Sequence, residues 1–178
     1  RHSVTTTKDR MVHVTGGKWT TYREMAQDTV DVLMTQLNKS GSCGTVNLRL
    51  FGAPSRSEDT AELTGLDLHL YQRFGTARHD IAALIAERPE LAEPAIAGLP
   101  YVKAEFIYSA THEMAVTLTD LLSRRTRAHI QDARATLMAA PLIAELVAPF
   151  LEWDESQRNE QVAAFRTLVE TEFSAAGL

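Results

Sequence analysis

Apolar residues recur at three- and four-residue spacing over most of this chain, and at two-residue spacing only near its start. Val12-His13-Val14 alternates among threonines as a strand does, and residues 3–7 offer a second extended stretch. Lys8-Asp9-Arg10 reads as the polar turn between them, and Gly16-Gly17 closes the second strand. Met25, Ala26, Thr29, Val30, Leu33, Met34 and Leu37 then fall on one helical face. Residues 38–44, a run of Asn, Ser and Gly, form the clearest breaker in the sequence. The pattern therefore predicts a strand–turn–helix unit over residues 1–44 and a helical domain over residues 45–178.

Beyond the breaker, residues 46–51 read as short extended or irregular backbone. Ser55-Arg56-Ser57-Glu58 has the spacing of a capping box and predicts a helix start, because each end of the box satisfies an otherwise orphaned amide. Residues 66–74 form a helical segment ended by Gly75, and residues 79–88 another, stopped before Pro89. Phe106, Ile107, Ala110, Met114, Leu118 and Leu121 trace one stripe and predict a single helix over 105–122. A helix over 132–147 should break or restart at Pro141, which has no amide to donate and crowds the preceding turn. Asp154 with Gln157 caps the last helix, which carries Val162, Phe165, Leu168, Val169 and Phe173. The fold class is mainly α: a small helical bundle preceded by a short β-hairpin and helix. Two short strands are marginal alone, so this appendage is expected to pair with strands that lie outside the sequence.

Composition narrows the classes without choosing one. Of 178 residues, 44% are apolar and 23% charged, an ordinary globular mixture. A net charge of −5 gives no electrostatic case for nucleic acid. No uninterrupted apolar run approaches the roughly 20 residues that span a bilayer, and the start has no signal-peptide character. Cys43 is the single cysteine, which excludes an internal disulfide framework and suits a reducing compartment. It lies in the Ser/Gly run with no visible acid or base partner. The sequence opens on Arg1, which is expected of a piece of a larger protein.

Chemistry concentrates in Thr15-Gly16-Gly17-Lys18-Trp19-Thr20-Thr21-Tyr22-Arg23, where a strand gives way to a helix. Glycines let backbone approach a ligand closely, and the first helical amides point outward unpaired. Such an end attracts anionic or electron-rich oxygen, and Lys18 adds a full positive charge. A nucleotide P-loop is excluded: Trp19 stands where Ser or Thr should follow the lysine, and Val12 occupies the first glycine position. On the residues alone, a plain tight turn before an amphipathic helix stays open beside an anion-binding turn.

The run Gly-Gly-Lys-Trp-Thr-Thr-Tyr-Arg, with Met25-Ala26 and Asp28 after it, resembles the signature near the end of the flavin domain in FAD-dependent glycerol-3-phosphate dehydrogenases. The likeness continues in order. Leu68-His69-Leu70-Tyr71-Gln72-Arg73-Phe74-Gly75-Thr76, Tyr101-Val102-Lys103-Ala104-Glu105 and His112-Glu113-Met114-Ala115 resemble later segments of that family. So do Asp120-Leu121-Leu122-Ser123-Arg124-Arg125-Thr126-Arg127 and Leu151-Glu152-Trp153-Asp154. The family's dinucleotide Gly-x-Gly-x-x-Gly fingerprint is not in this sequence. The resemblance implies an enzyme that takes a hydride from carbon 2 of glycerol 3-phosphate onto FAD and passes electrons to a quinone. It implies a cytoplasmic protein held peripherally on the inner face of the cell membrane, whose FAD-binding domain is the chief partner of the present residues.

Carried onto this chain, the resemblance turns the backbone of Gly16, Gly17, Lys18, Trp19 and Thr20 toward the pyrimidine carbonyls of the flavin. Positive potential there would favour the electron-rich reduced cofactor, and Lys18 would also meet the substrate phosphate as a point charge. It assigns no catalytic residue to this chain, and FAD is not expected to bind the isolated piece. The competing expectation is a non-catalytic helical interaction module that holds a partner subunit or the membrane surface.

Other candidates are weaker. His112-Glu113 lacks the second histidine of a zinc-protease motif, since Val116 stands there. His2, His13, His69, His79 and His129 show no ligand spacing, so no metal is expected. Arg124, Arg125 and Arg127 offer a local basic cluster for anionic lipid or the flavin domain, against which a solvated helix end favoured by the dipole is the preferred reading. Phe150 and Trp153 read as buried packing.

Overall fold

The hairpin expected at the start is present. In the computed structural model, which describes residues 1–54 and 61–177, β1 (His2–Thr6) and β2 (Val12–Gly16) pair antiparallel with Val4 opposite Val14. The turn between them closes through Arg10 N to Thr7 O (3.0 Å) and Thr7 N to Met11 O (2.9 Å). The Thr7 hydroxyl donates to the Asp9 carboxylate and holds it below its usual range. α1 (Tyr22–Gln36) follows. Arg10 Nη2 donates to the Gln36 carbonyl (2.7 Å), and His2 meets Asp28 across 2.7 Å. These polar ties do the holding, because α1 has no buried residue and Val30, Leu33 and Leu37 stay exposed. One helix on two strands cannot enclose a core.

The chain divides into two compact units, Arg1–Phe51 and Gly52–Leu178. Residues 45–51, assigned from the sequence to the helical part, thus group with the first unit. Seven α-helices lie among the described residues, six of them in the second unit, and the fold is mainly α as expected. The capping box at Ser55–Glu58 lies outside the described residues.

In the second unit, α2 (Gly65–Phe74) ends at Gly75, as read. Gly75 has φ 56° and ψ −125°, and a β-carbon there would fall 1.8 Å from the Gly52 carbonyl oxygen. That same oxygen accepts from Thr76 N at 2.9 Å, so the glycine is required twice over. α3 (Arg78–Glu87) stops where Arg88 turns extended ahead of Pro89. α4 (Lys103–His112) is preceded by a short bridge of Pro94 with Val102.

Two expectations fail here. The helix predicted over 105–122 breaks after His112, because Met114 takes the left-handed conformation (φ 56°) and residues 114–116 are irregular. The chain restarts through a reciprocal cap: Asp120 N donates to Thr117 Oγ1 (3.0 Å), while Asp120 Oδ2 accepts from Thr117 N (3.0 Å) and Oγ1 (2.8 Å). It then widens into a π-helical turn, Asp120–Arg125. Conversely, no break occurs at Pro141. After α5 (Ala128–Gln131), α6 (Ala133–Leu151) runs unbroken through Pro141 and Pro149. Both prolines lie on its solvent face, so carbonyls deprived of an amide partner can be hydrated. The opposite face buries Ala139, Ala140, Ile143, Ala144, Val147 and Ala148. α6 is also long and apolar enough to cross a bilayer by length and composition, although Arg134 and Glu145 interrupt its apolar runs.

α7 (Glu155–Ala176) starts with the expected box, Gln157 N to Asp154 Oδ1 (2.8 Å) and Asp154 N to Gln157 Oε1 (2.9 Å). The main core gathers Phe106, Leu118, Leu121, Leu122, Ile143, Val147, Phe165 and Val169 from α4, the π turn, α6 and α7. A second cluster, with Leu70, Ile81, Leu91, Ile107 and Tyr108, lies between α2, α3 and α4. Trp153 packs half-buried on the main core as expected, whereas Phe150, near the end of α6, stays 41% exposed.

Candidate functional site

In the first unit, Gly16 (φ 74°) and Gly17 (φ 84°) are consecutive left-handed residues that swing the chain out of β2. A β-carbon on Gly16 would lie 2.9 Å from the Arg1 carbonyl oxygen, so the turn is tight against backbone. Lys18 is extended (φ −145°, ψ 160°), and Trp19–Thr21 form one 3₁₀ turn that leads into α1. The turn is closed by Thr21, whose amide and hydroxyl both donate to Lys18 O at 3.0 Å. Trp19 and Thr20 therefore occupy the first helical positions, where amides have no intrahelical acceptor. Trp19 is 86% exposed and stacks on Tyr22 with ring centres 5.9 Å apart.

Two hollows flank this turn. One of about 480 Å³ is lined by Lys18, Arg23, Glu24, Gln27 and Asp28, among others. Asp28 is engaged by His2, and Arg23 Nη1 donates to Gln27 Oε1 (2.7 Å) and Thr45 Oγ1 (3.3 Å). Among the described residues Lys18 has no ion-pair partner, so its charge is available to a ligand. The other hollow, about 400 Å³, is lined by Gly16, Gly17, Lys18, Trp19, Tyr22 and Met25. All five residues singled out from the sequence, Gly16 to Thr20, thus lie in one continuous turn. The arrangement can hold an anionic or carbonyl oxygen over free amides beside an ammonium.

Cys43, for which the sequence offered no acid or base partner, has neighbours the sequence concealed. Its Sγ lies 3.0 Å from Thr45 Oγ1 and 3.8 Å from Arg23 Nη1, and the Thr45 hydroxyl, with help from Arg23, draws the thiol below its usual range.

The second unit holds a polar cluster that the sequence pattern missed. Glu105 is fully buried, yet its Oε1 takes Arg73 Nε at 2.6 Å. Its Oε2 takes His69 Nε2 at 3.0 Å and the Val102 amide at 2.7 Å. Arg73 also lies 4.7 Å above the Tyr101 ring and donates to the Arg125 carbonyl at 3.3 Å. Tyr101 in turn accepts from Gln131 Nε2 at 2.6 Å. Arg125 Nε donates to the Glu113 carbonyl at 2.8 Å. Arg125 is therefore a clamp within the fold rather than part of a solvated basic end, while Arg124 pairs with Asp120 at 2.8 Å.

Residues 43–158 match the family described as the C-terminal domain of alpha-glycerophosphate oxidase. The chain is 34% identical to a glycerol-3-phosphate dehydrogenase of Mycobacterium leprae over 96% of this chain and 31% of that protein. It is 32% identical to glycerol-3-phosphate dehydrogenase 2 of Mycobacterium bovis over the same shares, 96% and 31%. With the mitochondrial glycerol-3-phosphate dehydrogenase of Mesocricetus auratus the identity is 33%, over 90% of this chain and 24% of that protein. The chain thus spans about a third or less of the curated relatives it matches.

Proposed function

The chain belongs to the family of alpha-glycerophosphate oxidase C-terminal domains, and we propose that it is the C-terminal part of a flavoprotein dehydrogenase. The reaction is oxidation of sn-glycerol 3-phosphate to dihydroxyacetone phosphate, with a quinone as final electron acceptor at the inner face of the cell membrane. FAD, when bound, supplies the hydride acceptor. The observation that carries the reading is the Gly16–Thr20 turn: two left-handed glycines, amides at Trp19 and Thr20 with no intrahelical acceptor, and a Lys18 charge with no ion-pair partner among the described residues. The residues fit one edge of such a cofactor. Backbone without side chains can approach a planar ring edge closely, and amides at a helix start can donate to carbonyl oxygens.

In this reading the turn has two tasks. The amides of Trp19 and Thr20 bind and orient the electron-rich edge of the cofactor and lower the potential energy of negative charge there. Lys18 binds the substrate phosphate, fixing the carbinol carbon at a set distance from the ring. No proton transfer is assigned to these residues.

The test uses the full-length polypeptide. Glycerol 3-phosphate, and not glycerol, should reduce a dye or a short-chain quinone in its presence. Replacement Lys18→Met keeps most of the stem and deletes the charge, which costs about 1.5–3 kcal/mol of charge-assisted contact. The apparent affinity for glycerol 3-phosphate should fall roughly tenfold to a hundredfold. If the main role of Lys18 is toward the cofactor, the flavin potential should drop and reduction at saturating substrate should slow instead. A full-length protein that shows no glycerol-3-phosphate-dependent reduction would sink the reading. If Lys18→Met leaves both affinity and potential within about twofold, the site assignment is wrong.

A further inference from the structure

After α4 the chain forms a knuckle, residues 113–117, with its backbone fixed on both sides and the side chains of Met114 and Val116 in water. On one side the amides of Glu113 and Ala115 both donate to the Ser109 carbonyl at 3.2 Å, and the Glu113 carbonyl takes Arg125 Nε. On the other, Asp120 Oδ2 collects the amides of Val116 (3.2 Å) and Thr117 (3.0 Å), and Leu118 N donates to Gln161 Oε1 at 3.0 Å. Ala115 is fully buried and pins the centre. On either side of it, Met114 is 84% exposed and Val116 63% exposed.

Met114 also stands where glycine normally ends a helix, in a left-handed conformation that crowds a β-carbon. Among the described residues of the second unit, the non-glycine residues with positive φ are Met114, Arg127 and Glu152, and Met114 is the apolar one. A solvated turn would be served better by glycine. Fixed backbone presents a side chain in one geometry and so lowers the ordering cost of burying it, and methionine adapts to an irregular partner surface.

We infer that Met114 and Val116 form a docking contact covered by the remainder of the same polypeptide. This rests on the reading above, in which the chain is the C-terminal part of a longer enzyme. The relatives extend well beyond the 31% of their length that is matched, so most of the family protein lies outside these residues. A remainder of that size would meet the helical unit over an interface of its own. Other exposed apolar residues, Ile130, Met138 and Leu142, sit on regular helix without such fixing or strain.

The experiment is thiol labelling of the full-length protein, resolved by mass at each position. Single variants Met114→Cys and Val116→Cys are compared with Met138→Cys, whose native side chain is equally exposed in the present chain. The two knuckle positions should react at least about tenfold more slowly than the control, at any protein concentration. Equal rates overturn the inference. So does protection that vanishes on dilution, which would make a second copy the occupant, or protection that arises only with anionic vesicles. Protection that persists in a full-length protein unable to oxidise glycerol 3-phosphate would sink the proposed reaction and leave the docking contact standing.

Discussion

Glu105 offers the sharpest stability test, because a fully buried carboxylate is held by three donors from two elements. Glu105→Gln keeps the volume and removes the charge. Arg73, whose side chain is 23% exposed, would then keep its place over Tyr101 without a counter-charge. Removing one partner of a buried pair costs about 3–5 kcal/mol. Partial exposure of Arg73 puts the glutamine variant near the low end, at roughly 3 kcal/mol. Glu105→Ala also orphans the Val102 amide and opens a cavity, which brings it to about 4–5 kcal/mol. A domain of ordinary stability has about 5–15 kcal/mol in total, so the alanine variant should lie close to unfolding. The measurement is denaturant unfolding of the 178-residue chain, followed by helical circular dichroism. A joint replacement, Glu105→Leu with Arg73→Met, should recover most of the loss, since apolar groups of similar volume remove both charges together. If Glu105→Gln stays within about 1 kcal/mol of the parent, water reaches the cluster and the argument from burial is refuted.

Asp120 carries a pH signature. Burial alone would raise its carboxyl, but the hydroxyl of Thr117, the amides of Val116 and Thr117, and Arg124 outweigh it and hold the group below its usual value. Because the folded value lies below the unfolded one of about 3.9, this contribution is present above about pH 4 and is lost as pH falls through the folded value. Unfolding followed from pH 5 to pH 2 should show a shallower acid loss in Asp120→Asn, and an unchanged slope would contradict the sign. Gly75→Ala should cost at least about 3 kcal/mol, because it meets both a positive φ and the Gly52 carbonyl at 1.8 Å. A variant with the melting temperature of the parent would show that the loop from Gly52 can move aside.

Helical elements with conventional ends were legible in the sequence, and the misreadings share one physical source. Gly75, Pro89 and the Asp154–Gln157 box act locally, within a turn of where they stand, and each ended or began its helix as expected. The break at Met114 is not local. It is held by Arg125, which reaches back twelve residues to the Glu113 carbonyl, and by the cap that Asp120 offers to Thr117. The Thr117-x-x-Asp120 spacing was a usable signal, but the continuing apolar stripe of Phe106, Ile107, Leu118 and Leu121 masked it. Pro141 misled in the opposite direction, because tertiary burial of one face of α6 outweighed a single missing hydrogen bond on the other.

The sequence runs shared with the family also divide by what their residues touch. Among the described residues, Trp19 and Thr20 start a helical turn with amides that have no intrahelical acceptor, and Lys18 has no ion-pair partner, which is what a ligand needs. His69, Arg73, Tyr101, Glu105 and Arg125 come from three other shared runs and spend their polar groups on one another. Their separations of 32 and 36 residues from Glu105, for Arg73 and His69, hide the cluster from any reading by spacing. Residue types that often carry chemistry, His, Arg and Glu, here form a tie around a buried carboxylate. The same test assigns Met114 differently from its neighbours in its own run. Glu113 and Ala115 are turned inward or bonded, whereas Met114 is exposed in a left-handed conformation. Residues whose bonding is complete within the chain account for the helical unit. Lys18 and Met114 stand apart from these: both are exposed, the first without an ion-pair partner among the described residues and the second in a left-handed conformation.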